Sequence, residues 1–244
     1  MKSVCFFISY VEGDHTQDMP MISDLLKCHS KVIVVTNKPL SVEGVQVLVM
    51  PNLGYDFGFF YRALGQVDVS GYDMLSFVNN SNVLVKGRGL SHFFAWASQQ
   101  KANLCGITDS FEAPRGVDPA RSYHIQSHVL VFKGAAISKL LNFFKKIGFE
   151  RFFSLTNQST LRQSIINECE IGLTQHMLNE GEGAVSQYSV KQYAAKYNRP
   201  INTNMHVHLW EELIQCGYPL MKKKILTGEW APLLKNINNK GKYL

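Results

Sequence analysis

The sequence is poor in cysteine and lacks the cysteine spacing of disulfide-rich or zinc-binding proteins. Its 244 residues include five cysteines, an odd number, and no two of them form a Cys-x-x-Cys pair. Cys5, Cys105 and Cys169 lie in or beside apolar segments. These features predict free thiols in a reducing cytosol rather than a disulfide framework, and they disfavour a structural zinc site.

Long hydrophobic runs are also missing. The apolar run around Val129 falls far short of the roughly 20 residues that a membrane-spanning helix needs. The opening segment, MKSVCFFISYVEGD, passes from a short apolar run directly to acidic residues and has no small-residue cleavage site. We therefore interpret it as a first strand and not as a signal peptide, and we expect a cytoplasmic protein.

No recognised nucleic-acid motif accompanies the positive charge of the chain, so no nucleic-acid partner is expected. The net charge is +6, and lysines concentrate near the end, at residues 222–224 and at Lys235, Lys240 and Lys242. A basic segment of this kind can contact an anionic membrane surface or a phosphorylated substrate. The alternative is a solvated face without a partner.

Strand-like and helix-like segments alternate along the chain. Hydrophobic residues make up 45% of it and charged residues 18%, which is typical of a globular protein with a core. We predict strands at 4–11, 31–37, 45–51, 72–80, 103–108 and 124–132, with 31–37 and 45–51 buried on both faces. We predict helices at 19–29, 59–67, 90–100, 135–147 and 206–217, and a mostly helical segment at 158–179, broken near 168–172. The alternation predicts a single α/β domain over 1–244, with a mostly parallel central sheet and helices on both faces.

Polar loops follow three of the predicted strands. Their sequences are NLGYDFG at 52–58, NNSN at 79–82 and TDSFEAPRG at 108–116. Because ligands bind beyond the carboxyl ends of strands in such sheets, we expect the three loops to open on one edge. Gly54 and Gly58, four residues apart, indicate a tight bend or a close approach of another group. A plain strand-to-helix turn is the alternative.

Six motifs follow one another between Asn52 and Lys224. They are N-x-G-x-D-x-G, YDxLxFxNNS, GxTDS, HIQSxxLVFK, ExGLTQxxL and HLWEELIxxGYPLMKK. This order resembles that of the rhamnan-synthesis-F-like glycosyltransferases, which act in bacterial surface-polysaccharide assembly; HIQS and the final motif are its most specific parts. The resemblance implies a GT-A-like fold. It also implies a nucleotide-sugar half at about 1–100, an acceptor and catalytic half at about 101–220, and a basic segment at 221–244.

The resemblance implies that Asn52, Gly54 and Asp56 contact the nucleotide-sugar donor. It also implies that Asn79 and Ser81 stand where GT-A enzymes carry an Asp-x-Asp metal motif. The chain departs from that pattern here, because amide and hydroxyl groups bring no charge to a divalent cation, which prefers anionic oxygen ligands.

Two ways of stabilising the leaving diphosphate remain open. In the first, Mn²⁺ or Mg²⁺ is held elsewhere, by His206 or His208 together with Asp56. In the second, cationic side chains replace the metal ion, and the candidates are Arg115, Arg121 and Lys222.

Sugar transfer also needs a base for the acceptor hydroxyl, usually a carboxylate. Glu170 is our first candidate, since its motif resembles the place where inverting GT-A enzymes carry an acidic residue at a helix start; a helix-capping role is the alternative. Glu168, two residues earlier, is a weaker candidate. Asp109 is expected to contact the acceptor hydroxyl or to act as a competing base, with an Asx-turn as the alternative.

Polar residues of the HIQS segment are expected to reach the acceptor side of the cleft. The two-residue period of a strand places His124, Gln126 and His128 on one face. We expect His124 and Gln126 to line the cleft together with Thr108, and His128 to lie in the core.

These features predict a glycosyltransferase that moves a sugar from a nucleotide-sugar donor to a growing surface polysaccharide of the O-antigen, capsule or rhamnan type. The implied acceptor is a lipid-linked glycan, so we expect peripheral contact with the anionic inner membrane face. One alternative is a sugar nucleotidyltransferase, which normally shows a glycine-rich N-terminal loop with a basic residue; VEGDHTQD lacks it. The other is a non-catalytic sugar-binding or scaffold protein, and the missing Asp-x-Asp motif favours it.

Overall fold

A computed structural model describes residues 1–114 and 116–227. Its strands are β1 (Ser3–Ser9), β2 (Lys31–Thr36), β3 (Val45–Val49), β4 (Met74–Asn79), β5 (Asn82–Leu84), β6 (Leu104–Ser110), β7 (His124–Ile125), β8 (Val129–Lys133), β9 (Ala184–Tyr188) and β10 (Leu220–Lys222). Its helices are α1 (Met19–Cys28), α2 (Tyr55–Leu64), α3 (Ser91–Gln99), α4 (Ala135–Ile147), α5 (Gln158–Ser164), α6 (Gly172–Asn179), α7 (Val190–Lys196), α8 (Met205–His208), α9 (Trp210–Gln215) and α10 (Lys223–Thr227). A π-helical segment, Ile165–Ile171, joins α5 to α6.

Eight strands form the central sheet, in the order β3-β2-β1-β4-β8-β6-β7 with β9 beside β6. The pairings of β1 with β2 and β4, of β2 with β3 and of β6 with β9 are parallel. The pairings of β8 with β4 and β6, and of β6 with β7, are antiparallel. The chain leaves β1 in one direction to β2 and returns on its other side with β4, so a crevice is expected beyond the carboxyl ends of β1 and β4.

Helices cover both faces of the sheet. Alternate β1 side chains point to opposite sides: Phe6 packs in one hydrophobic cluster with α2, α4 and α6, and Phe7 packs in another with α1, α3 and α9. The apolar runs of β1 and β4 are buried along their whole length because each face carries a helical layer. The predicted α/β class, with a mostly parallel sheet between helices, is confirmed.

Several predicted elements differ from the observed ones. The long strand predicted at 124–132 is wrong, since a turn at residues 126–128 separates β7 from β8. Strand β3 is half exposed at the sheet edge rather than buried on both faces. The segment 158–179 is not broken, because the π-helical turns continue the helix. Strands β5, β9 and β10 and helices α7 and α10 were not predicted.

Two short strands form a separate ribbon beside the main sheet. Strand β10 pairs antiparallel with β5, which places Lys222 opposite Asn82.

The five cysteines are free thiols, as predicted. Among the residues that the structure describes, no helix has the length and apolar character needed to cross a membrane.

Candidate functional site

A cleft of about 840 Å³ opens at the carboxyl edge of the sheet. It lies between the start of α2, the loops after β4 and β6, the turn before β8, the α5–π-helical segment and the segments around α8 and β10. The polar side chains on its walls are Asp56, Asn79, Ser81, Glu112, His124, Gln126, Ser127, His128, Arg162, Glu170, Asn202, Asn204, His206, Lys222 and Lys224. The predicted convergence of the three loops on one edge is therefore confirmed.

The two glycines of the first loop have different tasks. Gly54 has a φ of +80°, which lets the chain reverse into α2. Gly58 lies inside the helix, where an added Cβ would stand 1.6 Å from the carbonyl oxygen of Leu53. The bend and the close approach bring Asp56 to the cleft wall, whereas Asn52 is exposed and does not line the cleft. Contact of Asn52 and Gly54 with a donor stays a prediction.

A chain of hydrogen bonds joins the loops after β3 and β4. Asn79 Nδ2 donates to Asp56 Oδ2 at 2.6 Å, and Ser81 Oγ donates to Asn79 Oδ1 at 2.6 Å. Burial raises the pKa of Asp56 to about 6; Lys222 opposes this shift and Glu170 adds to it. The three predicted donor-site residues Asp56, Asn79 and Ser81 thus form one network.

Lys222 is the basic end of this network. Its Nζ donates to Ser81 Oγ at 3.2 Å. Burial lowers the pKa of Lys222 to about 8, while the nearby carboxylates of Glu170 and Asp56 act in the opposite direction. These mutual effects place one ammonium group and two carboxylates within electrostatic range of each other in the cleft.

Lys223 also turns inward. Its Nζ donates to Asp18 Oδ1 at 2.9 Å, and Asp18 is only 2% exposed. Lys222 and Lys223 therefore have partners within the protein, and the alternative of a solvated face does not apply to them. Lys224 lines the cleft. Lys235, Lys240 and Lys242 lie outside the described residues, and contact with a membrane stays a prediction.

Glu170 reaches the cleft from the π-helical segment. Its Oε1 accepts a hydrogen bond of 2.8 Å from the backbone N–H of Ser127, in the turn that separates β7 from β8. This contact fixes the carboxylate without capping a helix, in contrast to the capping alternative. Glu168 is exposed and pairs with Arg151, so the structure brings Glu170, and not Glu168, into the cleft.

Asp109 and Thr108 lie below the cleft rather than on its walls. Asp109 is 5% exposed, and its Oδ1 accepts a hydrogen bond of 2.6 Å from the N–H of Val190 at the start of α7. Burial raises the pKa of Asp109. The structure places this carboxylate in contact with the start of α7 and away from the cleft walls, and an acceptor contact or a base role for Asp109 stays a prediction. Thr108 Oγ1 donates to Gln126 Oε1 at 2.8 Å and so supports a residue that does line the cleft.

The histidines divide between the wall and the floor of the cleft. His124 lines the wall, and its Nδ1 is 2.7 Å from the carbonyl oxygen of Ser122. His128 and His206 form the floor with ring centroids 4.7 Å apart, and burial keeps the pKa of each well below its ordinary value. His208 is exposed on α8. His206 therefore reaches the cleft and His208 does not, and a metal ion held by one of them together with Asp56 stays a prediction.

The donor atoms at the end of β4 do not fit a divalent metal ion. Asn79 Oδ1 already accepts hydrogen bonds from the N–H and the hydroxyl of Ser81, and an ammonium group lies beside that hydroxyl. Asn80 turns away, since its Nδ2 donates to Asp18 and to the carbonyl oxygen of Tyr10. Within residues 1–114 and 116–227, no three His, Cys, Asp or Glu side chains are grouped so that they could hold a metal ion.

Glu112 is the main site residue that was not predicted. It follows β6, and its Oε2 accepts a hydrogen bond of 2.9 Å from Asn204 Nδ2. Burial raises the pKa of Glu112, and nearby His124 opposes the shift. Arg162 on α5 was also missed as a cleft cation. Of the predicted cations, Arg121 is exposed and does not line the cleft, and Arg115 lies outside the described residues.

The fold and the cleft define an α/β protein with a ligand-sized site at the carboxyl ends of its strands. The sequence profile described as rhamnan synthesis protein F (RgpF) matches residues 27–244, and the chain belongs to this family. A search of curated proteins finds none that matches the chain.

Solved structures with a related fold include three transferases. The 2-C-methyl-D-erythritol 4-phosphate cytidylyltransferase of Francisella tularensis has a TM-score of 0.45 and 11% identity, over 76% of this chain and 90% of that chain. The apo-form glycosyltransferase GlyE of Streptococcus pneumoniae has a TM-score of 0.40 and 12% identity, over 81% of this chain and 50% of that chain. A putative nucleotide-diphospho-sugar transferase from Desulfovibrio desulfuricans has a TM-score of 0.38 and 10% identity, over 78% of this chain and 81% of that chain. These values are too low to transfer a function.

Proposed function

We propose that this protein is a glycosyltransferase that moves a sugar from a nucleotide-sugar donor to a growing bacterial surface polysaccharide. The observation that carries the proposal is the presence of Lys222 and Glu170 on the walls of one cleft, where the Glu170 carboxylate opposes the lowering of the Lys222 pKa by burial. Sugar transfer needs a positive charge for the leaving diphosphate and a base for the acceptor hydroxyl. Membership of the rhamnan synthesis protein F family supports a polysaccharide as the product.

The donor belongs in the part of the cleft formed by α2 and the end of β4. Asp56, Asn79 and Ser81 supply hydrogen-bonding groups for the ribose and sugar hydroxyls. The first turn of α2 adds the partial positive charge of a helix N-terminus, which favours phosphate. Lys222 then lies at the boundary between donor and acceptor, where the diphosphate leaves.

The acceptor belongs in the part of the cleft that carries Glu112, His124 and Asn204. Carboxylate, imidazole and amide groups are suited to bind sugar hydroxyls. Glu170, held by the N–H of Ser127, is near both parts of the cleft, since it adds to the rise in the pKa of Asp56 and of Glu112. In the reaction, Glu170 takes the proton of the acceptor hydroxyl while that oxygen bonds to the anomeric carbon, and the bond from this carbon to the diphosphate oxygen breaks.

A panel of nucleotide sugars tests the proposal. A ligand at about 100 times its Kd stabilises the native state by about 2.7 kcal/mol, which raises Tm by roughly 5–10 °C for a chain of this size. We expect one nucleotide-sugar class to give such a shift and to release nucleoside diphosphate when a lipid-linked glycan acceptor is added.

Two results would contradict the proposal. Absence of any shift across uridine, guanosine and thymidine diphosphate sugars would favour the non-catalytic alternative. Release of pyrophosphate from a nucleoside triphosphate and a sugar phosphate would identify a sugar nucleotidyltransferase instead.

Glu112→Gln is expected to weaken binding of the acceptor and to leave binding of the donor unchanged. The amide keeps an oxygen that accepts from Asn204 but loses the charge, so the acceptor KM should rise about tenfold, the effect of weakening one charged hydrogen bond. Steady-state kinetics with varied acceptor, and donor binding by thermal shift, measure the two effects. Glu150→Gln, at an exposed carboxylate outside the cleft, is the control. An unchanged acceptor KM would remove Glu112 from the acceptor site.

A further inference from the structure

We propose that Lys222 is the cation of the diphosphate site and that this site binds a nucleoside diphosphate without a divalent metal ion. The inference rests on the proposed function, since it specifies how the same cleft holds its donor. It requires, as the proposed function does not, that a nucleoside diphosphate still binds when metal ions are removed.

The immediate contacts of the ammonium group leave it directed at the cleft. An ammonium group has three N–H donors, and Ser81 Oγ accepts one of them at 3.2 Å. The Ser81 hydroxyl proton is used by Asn79 Oδ1, so the Ser81 oxygen faces Lys222 as an acceptor. The Lys222 side chain itself lines the cleft.

The backbone around Lys222 is fixed from both sides. Its strand pairs with β5, which directly follows Ser81, and the N–H of Lys223 donates to the carbonyl oxygen of Ser81 at 2.9 Å. The Lys223 side chain is tied to buried Asp18. Lys222 is therefore held at the end of β4 by a strand ladder and an ion pair, and a preorganised charge of this kind stabilises a developing anion without rearrangement.

The side chains of the segment 79–81 favour an ammonium group over a metal ion at this point, although the carboxylates of Asp56 and Glu170 lie within electrostatic range of it. The side-chain groups of the segment 79–81 are neutral, and its amide and hydroxyl oxygens already take part in hydrogen bonds. A dication placed beside the Lys222 ammonium would meet like-charge repulsion in a partly desolvated site. Arg162 and Lys224 also line the cleft, and they add positive charge for a ligand with more than one negative charge.

The test compares diphosphate binding with and without metal ions. Uridine, guanosine and thymidine diphosphates are titrated against the whole chain by calorimetry and thermal shift, in EDTA and then with Mg²⁺ or Mn²⁺. We expect at least one diphosphate to bind with a Kd that changes less than about twofold between the conditions. Binding that appears only with the metal ion would overturn the inference and leave the proposed function intact; no binding in either condition would overturn both.

Variants at position 222 make the test independent of the metal comparison. Lys222→Met keeps the length of the side chain and should weaken diphosphate binding about 10- to 100-fold, the range of one charge-assisted hydrogen bond. Lys222→Arg should recover part of the loss. Lys86→Ala, at an exposed lysine just after β5, is the matched control and should bind as the native chain does. Urea unfolding of each variant separates a binding loss from a folding defect, and unchanged binding by Lys222→Met would contradict the assignment.

Discussion

Glu170→Gln is expected to lower turnover by about 10²-fold or more while donor binding stays nearly unchanged, because a general base acts in the chemical step. The substitution keeps an oxygen that accepts from the N–H of Ser127, so the turn before β8 retains its support. What it removes is the ability to accept a proton. Single-turnover kinetics with saturating donor, together with a binding titration, measure the two quantities separately.

Glu168→Gln is the matched control for this prediction. Glu168 lies two residues earlier on the same helical segment, but it is exposed and pairs with Arg151. Its substitution should leave turnover close to that of the native chain. Equal losses of donor affinity and turnover in Glu170→Gln would reassign Glu170 to binding or structure. A larger turnover loss in a folded Asp109→Asn would give the base role to Asp109.

Gly58→Ala is expected to destabilise the chain by about 3 kcal/mol or more, at the upper end of the usual cost of overpacking. The added Cβ would stand 1.6 Å from the Leu53 carbonyl oxygen, and a backbone atom cannot move aside as a side-chain end can. Helix propensity alone predicts the opposite, a gain of about 1 kcal/mol from replacing glycine by alanine in a helix. Urea denaturation therefore distinguishes the two effects by sign.

Gly65→Ala serves as the comparison for that experiment. Gly65 ends the same helix, with a φ of −71°, and its added Cβ would come no closer than 3.5 Å to the Arg62 carbonyl oxygen. This substitution should change the free energy of unfolding by less than about 1 kcal/mol. If Gly58→Ala were as stable as Gly65→Ala, the close approach in the Asn52–Gly58 loop would not determine its shape.

The spacing of apolar residues along the sequence was sufficient to predict the strands and helices that are apolar and regular. The strands at β1, β2 and β4 are continuous apolar runs, and α4 has its predicted bounds because its apolar residues recur at helical spacing. The alternation of strands and helices predicted that the polar loops would open on one edge of the sheet. That rule also predicted that Asp56 and Ser81 would share a cleft.

The errors arise where distant residues decide the structure. His124 and His128 lie in a sequence that reads as one strand, but the turn between them is supported by Glu170, which is 43 residues beyond Ser127. Asp109 looks like a loop carboxylate until its partner, the N–H of Val190, is known. Glu112 lies in the polar loop at 108–116, but nothing in that loop distinguishes it, and only its hydrogen bond with Asn204 and its place on the cleft wall identify it. Contacts between residues so far apart have no periodic signal in the sequence.

The pairing of β10 with β5 also determines when, during synthesis of the chain, the cleft receives Lys222. Lys222 is synthesised 141 residues after Ser81. At about 5–20 residues per second, this interval lasts roughly 7–30 s. During that time the growing polypeptide already contains Asp56 and Asn79 but has no ammonium group to place beside them. The cleft therefore gains Lys222 only after translation has passed β10, so an unfinished chain that already carries Asp56, Asn79 and Arg162 still lacks the ammonium group at the end of β4.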